Sequence, residues 1–268
     1  MTSSCLVCDS ATVHIGSQPV LGRYAAEYRR CRRCGYLFIV EPHWLDEAYA
    51  TAIAALDTGI VTRNLWLANA TTALLGTSLR GVRRSVDYGG GTGLLVRLMR
   101  DRGHDFRWHD AYSPNLLAIG FEADLAQPSD LATAFELVEH LPDPMSVFAK
   151  LGGLAPTLLL STELLPDPLP ALDRWWYFAP QAGQHIGFFS RRSLEVIAER
   201  LNRRLSTNDR NLHVIAHEPV SAGLLRALRK PRGARLLAPL GKRRSLAHDD
   251  ADALQACLQA RQRSVPTD

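Results

Sequence analysis

A cluster of glycines follows an acidic residue in the middle third of the chain. Asp87 lies two positions before the first member of the cluster, which consists of Gly89, Gly90, Gly91 and Gly93. Glycine suits a sharp turn in which the backbone approaches a ligand, because no Cβ stands in the way. Buried-strand residues precede the cluster and apolar residues at helical spacing follow it. The pattern therefore predicts a nucleotide-type cofactor site between a strand and the first N–H groups of a helix.

The glycines are spaced G-x-G-x-G, which is shorter than the G-x-G-x-x-G fingerprint of dinucleotide-binding folds. With the preceding acidic residue, this pattern resembles the first motif of class I S-adenosylmethionine-dependent methyltransferases. The resemblance implies an α/β fold with a doubly wound, Rossmann-like sheet, in which the turn packs against the methionine part of S-adenosylmethionine (SAM). It also implies that Asp87 helps to hold the ammonium group of SAM. A glycine-rich loop without this function is the alternative.

A second acidic residue, Asp110, lies 23 positions after Asp87, at the end of a predicted strand over residues 106–110. An acidic side chain about 20 residues after such a glycine motif is placed to accept hydrogen bonds from ribose hydroxyls. We therefore predict that Asp110 binds the ribose and that Ala111 and Tyr112 pack against the adenine. The alternative for Asp110 is a cap of the turn that follows the strand.

The segment 129–144 resembles the fourth strand and following loop of methyltransferases that include ubiquinone-biosynthesis enzymes, because a Glu-His pair precedes Asp-Pro. Phe135 and Glu136 are expected at the carboxyl end of the strand, where ligands bind in such sheets, and are assigned to the cofactor. His140 is a candidate catalytic residue, although a role in organising the loop is favoured. The usual third strand is expected in compressed form over residues 120–125.

An aromatic segment at residues 174–190 contains a further histidine. It resembles the Tyr…Glu-His-x-x-Tyr-Phe-Ser segment of bacterial sugar C-methyltransferases, which also carry an N-terminal zinc module built on four cysteines. Gln184 stands where that segment has glutamate, which leaves the base and the acceptor atom open.

Methyl transfer requires an acceptor that is aligned with the sulfonium methyl group and loses a proton. His185 is the predicted base, because its ordinary pKa near 6.5 suits proton removal at neutral pH. Tyr177 is predicted to stack on a sugar ring or to form a lid. The alternative for His185 is a structural hydrogen bond within the aromatic segment.

Four of the five cysteines form two pairs with two residues between their members: Cys5 with Cys8, and Cys31 with Cys34. In a cytosolic chain this spacing predicts a four-cysteine zinc site, because both thiolates of each turn can face one tetrahedral ion. Metal binding would supply much of the folding free energy of so small a segment. Reduced structural thiols without a metal are the alternative.

Composition limits the class of protein. The chain has 268 residues, 46% of them hydrophobic, and a net charge of +4. No apolar run approaches the roughly 20 residues that span a bilayer, and no signal-peptide pattern is present, so we expect a cytoplasmic protein. Arginines are concentrated near both ends and allow an RNA partner, but the small charge excess argues against nucleic acid.

These observations predict four regions: a four-cysteine zinc ribbon (1–40), a helical lid (41–80), a Rossmann-like SAM-binding domain (81–220) and a basic helical extension (221–268). The extension either packs on the domain or mediates a homodimer. The predicted activity is SAM-dependent methyl transfer to a small molecule, with a hydroxyl or carbon of a sugar, nucleotide-sugar or glycan as the favoured acceptor. An RNA methyltransferase that grips RNA with its ribbon, and a non-catalytic SAM-binding scaffold, are the alternatives.

The remaining elements follow from apolar periodicity. The lid is predicted as two helices separated by residues 57–59, with Leu45, Ala48, Ala52 and Leu56 on one face of the first and Leu65, Ala68, Thr72 and Leu75 on one face of the second. Strands are predicted at 131–135, 157–162 and 211–217, and helices at 145–151 and 190–205. The two histidines of the last strand, His213 and His217, are expected at the surface or behind the site.

Overall fold

The structure, a computed structural model, describes residues 4–50 and 57–263, with side chains described as far as residue 260. The strands are β1 (Thr12–Val20), β2 (Tyr24–Cys31), β3 (Leu37–Ile39), β4 (Arg84–Tyr88), β5 (Asp105–His109), β6 (Leu131–Phe135), β7 (Thr157–Ser161), β8 (Gly187–Phe188), β9 (Arg204–Thr207) and β10 (His213–Ala216). The α-helices are α1 (Leu45–Ala48), α2 (Ile60–Leu75), α3 (Leu94–Arg100), α4 (Pro144–Leu154), α5 (Arg191–Arg200), α6 (Ala222–Leu228), α7 (Pro231–Leu237) and α8 (Ala247–Arg263). Short 3-10 helices cover Val138–His140, Trp176–Phe178 and Ala238–Leu240.

The larger sheet has six strands in the order β5-β4-β6-β7-β10-β9. β4, β5, β6 and β7 run parallel, whereas β10 is antiparallel to both β7 and β9. Strands such as β7 are apolar and buried along nearly their whole length, as expected where helices cover both faces of a parallel sheet. The structure thus confirms the predicted doubly wound, Rossmann-like α/β fold, with a mixed central sheet.

The expected third strand over residues 120–125 is absent from the described structure. Only an isolated parallel bridge joins Trp108 of β5 to Glu122. A parallel crossover needs roughly a dozen residues, so the chain between Tyr112 and Asp130 is too short to hold a strand with a crossover on each side. As a result, β5 forms one edge of the larger sheet.

The ribbon forms a second sheet in the order β1-β2-β3-β8. β1 and β2 form an antiparallel hairpin, and β3 pairs antiparallel with β2. Its fourth strand comes from the aromatic segment, because Leu37 and Phe38 of β3 pair with β8. The domain boundary placed at residue 40, between the ribbon and the lid, stays a prediction. Hydrogen bonds join residues on its two sides.

The lid region is described in part. α1 covers Leu45–Ala48, and the predicted positions Ala52 and Leu56 lie outside the described residues. In α2 the predicted buried face is right for Ala68, Thr72 and Leu75, but Leu65 is exposed. The Trp66 indole N–H donates to the Leu228 carbonyl (2.8 Å), so α2 also packs against the C-terminal extension.

The helix predicted at residues 190–205 ends at Arg200, and the chain then forms β9, which was not predicted. A surface position is wrong for His213, whose side chain is fully buried, whereas His217 is exposed just after β10. The Nδ1 atom of His213 forms a hydrogen bond with Thr207 Oγ1 (2.7 Å), and its Nε2 donates to the Thr162 carbonyl (3.0 Å).

The C-terminal extension packs on the Rossmann-like domain through an ion-pair network. Asp250 of α8 is 4% exposed and accepts hydrogen bonds from Arg100 at 2.6 and 2.8 Å and from Arg97 at 2.6 Å. Burial alone would raise the pKa of Asp250, but the two arginines offset it and hold that pKa below its ordinary value. The network fixes the start of α8 against α3.

We expect Asp250→Ala to lower the free energy of unfolding by about 3 kcal/mol, because it leaves the buried Arg100 guanidinium without its main partner. Asp249→Ala is the matched control: Asp249 pairs with Arg244 at the surface, where an ion pair contributes about 0–1 kcal/mol. Chemical denaturation of both variants measures the difference. Equal losses would mean that the network does not hold the extension in place.

Candidate active site

The carboxyl ends of three parallel strands meet at one edge of the larger sheet. β4 leads into the glycine turn, β6 leads into Glu136, and β7 leads into Thr162. Ligands of doubly wound sheets bind at this edge. The side chain of Leu137 lies under the turn, since a Cβ placed on Gly89 would come within 2.9 Å of it. The loop after β6 and the glycine turn are therefore in contact.

The glycine turn has the backbone that its sequence predicts. Gly89, Gly91 and Gly93 have φ values of +76°, +53° and +87°, which L-residues rarely adopt. A Cβ on Gly91 would meet nothing within 4 Å, so the turn faces open space at this position. α3 begins directly after Gly93. The open cradle and the helix N-terminus fit the methionine end of a SAM molecule.

The buried side chain of Asp87 packs against the glycine turn. The residue is 3% exposed, and its Oδ1 accepts a hydrogen bond from Thr133 Oγ1 (2.7 Å). Its Oδ2 lies 2.9 Å from the position of a Cβ on Gly90. Burial raises the pKa of the Asp87 carboxyl to about 7, and the Thr133 hydroxyl offsets part of that effect. The contact with the cofactor ammonium group stays a prediction.

Asp110 joins the turn to the loop after β5. Its Oδ2 accepts a hydrogen bond from the Gly91 N–H (2.9 Å), and its Oδ1 accepts from the N–H groups of Tyr112 and Ser113, both at 2.8 Å. The turn-capping alternative is therefore present in the structure. Oδ1 thus already accepts two hydrogen bonds, whereas Oδ2 can accept one more, and ribose binding stays a prediction. The adenine contacts predicted for Ala111 and Tyr112 also stay predictions, and Tyr112 is 93% exposed.

Phe135 ends β6, and the next residue, Glu136, has a left-handed backbone with φ of +49°. Glu136 Oε1 accepts a hydrogen bond from Ser161 Oγ (2.7 Å), and its Oε2 lies 3.8 Å from Arg63 Nε. Burial raises the pKa of Glu136 to about 8, although Arg63 opposes the shift. A strained, polar residue at the end of a central strand is typical of ligand sites.

Beyond Glu136, four residues form what we term the Glu-His cluster: Glu139, His140, Tyr177 and His185. Backbone pairing brings the two chain segments together, because the Ile186 N–H donates to the Glu139 carbonyl (2.9 Å). The ring centroids of His140 and His185 are 4.8 Å apart. All three catalytic residues predicted from the sequence therefore lie in one place.

Both histidines are held by backbone carbonyls. The Nδ1 atom of His140 donates to the Gln184 carbonyl (2.9 Å), and that of His185 donates to the Tyr177 carbonyl (2.7 Å). A carbonyl oxygen only accepts, so Nδ1 carries the proton and Nε2 keeps its lone pair in the neutral ring. Burial lowers the pKa of His140 to about 4 and that of His185 to about 3, so both rings are neutral near pH 7.

Glu139 is the member that sequence reasoning missed. Glu139 is fully buried. Its Oε1 atom accepts a hydrogen bond from the Tyr177 hydroxyl, and that hydroxyl also contacts Thr162 Oγ1 (3.1 Å). Its Oε2 accepts no hydrogen bond from the described residues. Burial raises the pKa of this carboxyl to about 7. The available signal was its position beside His140 in the Glu-His motif.

The cluster lies close to the predicted cofactor residues. The Tyr49 ring is 6.2 Å from the His140 ring and 6.5 Å from the Tyr112 ring, between centroids. Arg63, at the start of α2, is paired with Asp57 through two hydrogen bonds of 2.9 and 2.6 Å and approaches Glu136. The lid thus contributes side chains to the same edge of the sheet.

The four paired cysteines converge in the ribbon. Cys5, Cys8, Cys31 and Cys34 are buried, unbridged by disulfides, and have sulfur atoms within 4.8 Å of one another. The closest sulfur pairs are 3.4 and 3.6 Å apart. A tetrahedral zinc ion with bonds of about 2.3 Å separates its sulfur ligands by about 3.8 Å, so the group fits zinc. N–H groups of Val7, Arg33 and Cys34 donate to these sulfur atoms.

Comparison with known proteins agrees with this geometry. Residues 62–205, more than half of the chain, match the sequence profile of a family described as a methyltransferase domain. The chain belongs to this methyltransferase family. Membership of this family makes it a SAM-dependent class I methyltransferase. None of the curated protein sequences matches the enzyme.

Solved structures that are similar to the enzyme include TnmH, with 17% identity and a TM-score of 0.49 over 65% of this chain and 61% of that one. CalO1, a methyltransferase in calicheamicin biosynthesis, has 14% identity and a TM-score of 0.41 over 57% and 54% of the two chains. Human N-acetylserotonin methyltransferase with SAM has 13% identity and a TM-score of 0.41 over 65% of each chain.

In the described part of the enzyme, no helix has the length and apolar character of a membrane span.

We expect Gly91→Ala to weaken SAM binding at least tenfold, because the new methyl group enters the open side of the turn. The control is Gly22→Ala in the turn between β1 and β2, where φ is +72° and a Cβ also meets nothing within 4 Å. Both substitutions place alanine in a left-handed backbone and cost about 1 kcal/mol of stability. Calorimetric titration with SAM compares them, and equal affinities would place the cofactor elsewhere.

Proposed function

We propose that the enzyme transfers the methyl group of SAM to a small-molecule acceptor bound at the Glu-His cluster. The observation that carries the proposal is the position of this cluster at the carboxyl end of β6, in contact with the loop that packs under the glycine turn. The acceptor class that we favour is a sugar, a nucleotide-sugar or a glycan, with a hydroxyl or carbon as the methylated atom.

The cofactor is proposed to bind along the edge formed by β4, β5 and β6. The methionine part of the cofactor would lie above Asp87, bordered by the turn of Gly89, Gly90, Gly91 and Gly93. Its nucleoside would be bordered by Asp110, Ala111 and Tyr112. The space between the cofactor and the cluster would be bordered by Phe135 and Glu136. When bound, SAM supplies an already electrophilic methyl group, so the protein has to align the acceptor and handle its proton.

Aromatic side chains around the cluster support a sugar-like acceptor. Trp176 is 69% exposed although it lies beside the buried Tyr177, and its ring is 5.2 Å from that of Tyr177. A large exposed aromatic residue next to buried polar groups offers an apolar face to the ring of a sugar and hydrogen-bond partners to its hydroxyls. His140, Tyr177 and His185 are the residues proposed to bind and activate the acceptor.

We further propose that the four cysteines bind a structural zinc ion. The ribbon is joined to the cluster, because the Ile39 N–H donates to the Ile186 carbonyl (2.9 Å) and Ser190 Oγ donates to the Cys34 carbonyl (2.6 Å). A bound zinc ion would therefore stabilise the segment that carries His185. Zinc-bound thiolates persist in a reducing compartment, which supports a cytoplasmic location.

Cys34→Ser is expected to remove one equivalent of zinc per chain and to lower the melting temperature, because metal binding and folding of the ribbon are coupled. Cys257→Ser is the control, since Cys257 is exposed on α8. Elemental analysis and thermal unfolding of the two purified variants provide the comparison. Unchanged zinc content in Cys34→Ser would contradict the assignment of these ligands.

For His185→Ala we expect an unchanged affinity for SAM and a fall in turnover of about 10²-fold or more, the scale of a positioned catalytic group. His248→Ala, on the exposed start of α8, serves as the control. Calorimetry measures cofactor binding, and transfer of labelled methyl groups measures turnover. Full activity in the His185 variant would reduce its role to a structural one.

The acceptor class is tested by incubating the enzyme with a cell extract and SAM carrying a radiolabelled methyl group, followed by size fractionation and nuclease treatment. We expect the label in small molecules or glycans. Label in nuclease-sensitive polymer would contradict the proposal and indicate an RNA methyltransferase. Bound SAM without any transferred label would favour a scaffold.

A further inference from the structure

We propose that Glu139, His140 and His185 bind a divalent transition-metal cation beside the acceptor. The inference rests on the proposed function, because it specifies how the same site binds its substrate. It differs from the zinc assignment in the ribbon, which involves other residues and only sulfur ligands.

The three side chains have the composition and the spacing of a metal site. One ligand atom from each of them lies within 4.8 Å of the other two. Two imidazoles and one carboxylate are a ligand set for first-row divalent cations such as Fe²⁺, Co²⁺ and Zn²⁺. Three protein ligands leave one or more coordination positions for a substrate.

The hydrogen bonds of the two histidines favour metal binding. Metal-binding histidines usually donate their other N–H to a carbonyl or a carboxylate, which fixes the orientation of the ring. His140 and His185 both have this arrangement, because their Nδ1 atoms donate to the carbonyls of Gln184 and Tyr177. Nε2 is then the nitrogen with the free lone pair in each ring.

An independent observation comes from Glu139. The Glu139 side chain is fully buried, yet its Oε2 atom has no hydrogen-bond partner among the described residues. Buried carboxylate oxygens are normally satisfied, because leaving one without a partner is costly. The other oxygen is fixed by the Tyr177 hydroxyl, so Oε2 is the atom that a cation could bind.

The nearby positive charge of Arg63 already has its own partners. Arg63 forms two hydrogen bonds with Asp57 and lies 3.8 Å from Glu136. No ion pair joins a described Lys or Arg side chain to Glu139. Among the described residues, Arg63 thus acts on the Glu139 carboxylate only from a distance, and a cation at the cluster would supply a direct partner.

A cation at this position would select the acceptor by its oxygen atoms. An acceptor with two neighbouring oxygens, such as a vicinal diol or a hydroxy-carbonyl group, could fill adjacent open positions and leave one oxygen facing the methyl group. Sugar-like molecules offer such pairs. The cation would thus restrict the acceptor to compounds with neighbouring oxygen functions.

The test is a titration of the zinc-loaded full chain with Co²⁺, followed by calorimetry and visible spectroscopy. We expect one further equivalent to bind, with the d–d bands of Co²⁺ and without the charge-transfer band of a cobalt–thiolate bond. His185→Ala and Glu139→Gln should weaken this binding at least tenfold. His248→Ala, which removes an exposed histidine, should bind as the wild type does.

SAM titration of the same samples separates the outcomes. Wild-type protein that binds SAM but no additional Co²⁺ would overturn the metal site and leave the proposed function intact, whereas failure to bind SAM would overturn the proposed function. Co²⁺ binding that persists in both variants would also overturn the site. Glu139→Gln preserves side-chain size and an acceptor for the Tyr177 hydroxyl, and retained SAM binding by a variant shows that it is folded. If both variants fail to fold, the wild-type stoichiometry decides alone.

Discussion

The site depends on the backbone pairing between the loop after β6 and the aromatic segment. The Ile186 N–H donates to the Glu139 carbonyl. Two residues earlier in the aromatic segment, the Gln184 carbonyl accepts a hydrogen bond from His140 Nδ1. These two hydrogen bonds place His185 beside Glu139, although the two are far apart in the chain. Without this pairing, the larger sheet would carry Glu139 and His140 but not Tyr177 and His185, the other half of the proposed acceptor site.

The same pairing joins the two sheets of the molecule. On its other side, the aromatic segment pairs with β3 through β8, and Ser190 reaches the carbonyl of a ribbon cysteine. The ribbon therefore contributes more than an appended module would, because it contacts the segment that carries His185, a residue proposed to bind the acceptor. The proposed zinc ion in the ribbon would act on the proposed active site by stabilising this segment rather than by touching the substrate.

The sequence predicted the elements whose signal is local. β6 was predicted at its observed bounds, and the G-x-G-x-G spacing predicted the left-handed turn, because a periodic apolar run or a glycine requirement is written in neighbouring residues. Features that depend on distant partners were missed. Glu139 is fixed by the Tyr177 hydroxyl. The buried His213 ring is held by Thr207 and the Thr162 carbonyl, both outside its own strand. The expectation of a third strand at residues 120–125 is wrong, because the chain there is too short for a strand with two crossovers, which the residue pattern does not reveal.

The most direct test of the account is a crystal structure of the enzyme with S-adenosylhomocysteine. We expect the homocysteine part to lie over the open side of Gly91 and the sulfur atom to face the Glu-His cluster, with space for an acceptor between them. A sulfur atom that points away from His140 and His185, or a cofactor bound at another edge of the sheet, would contradict it.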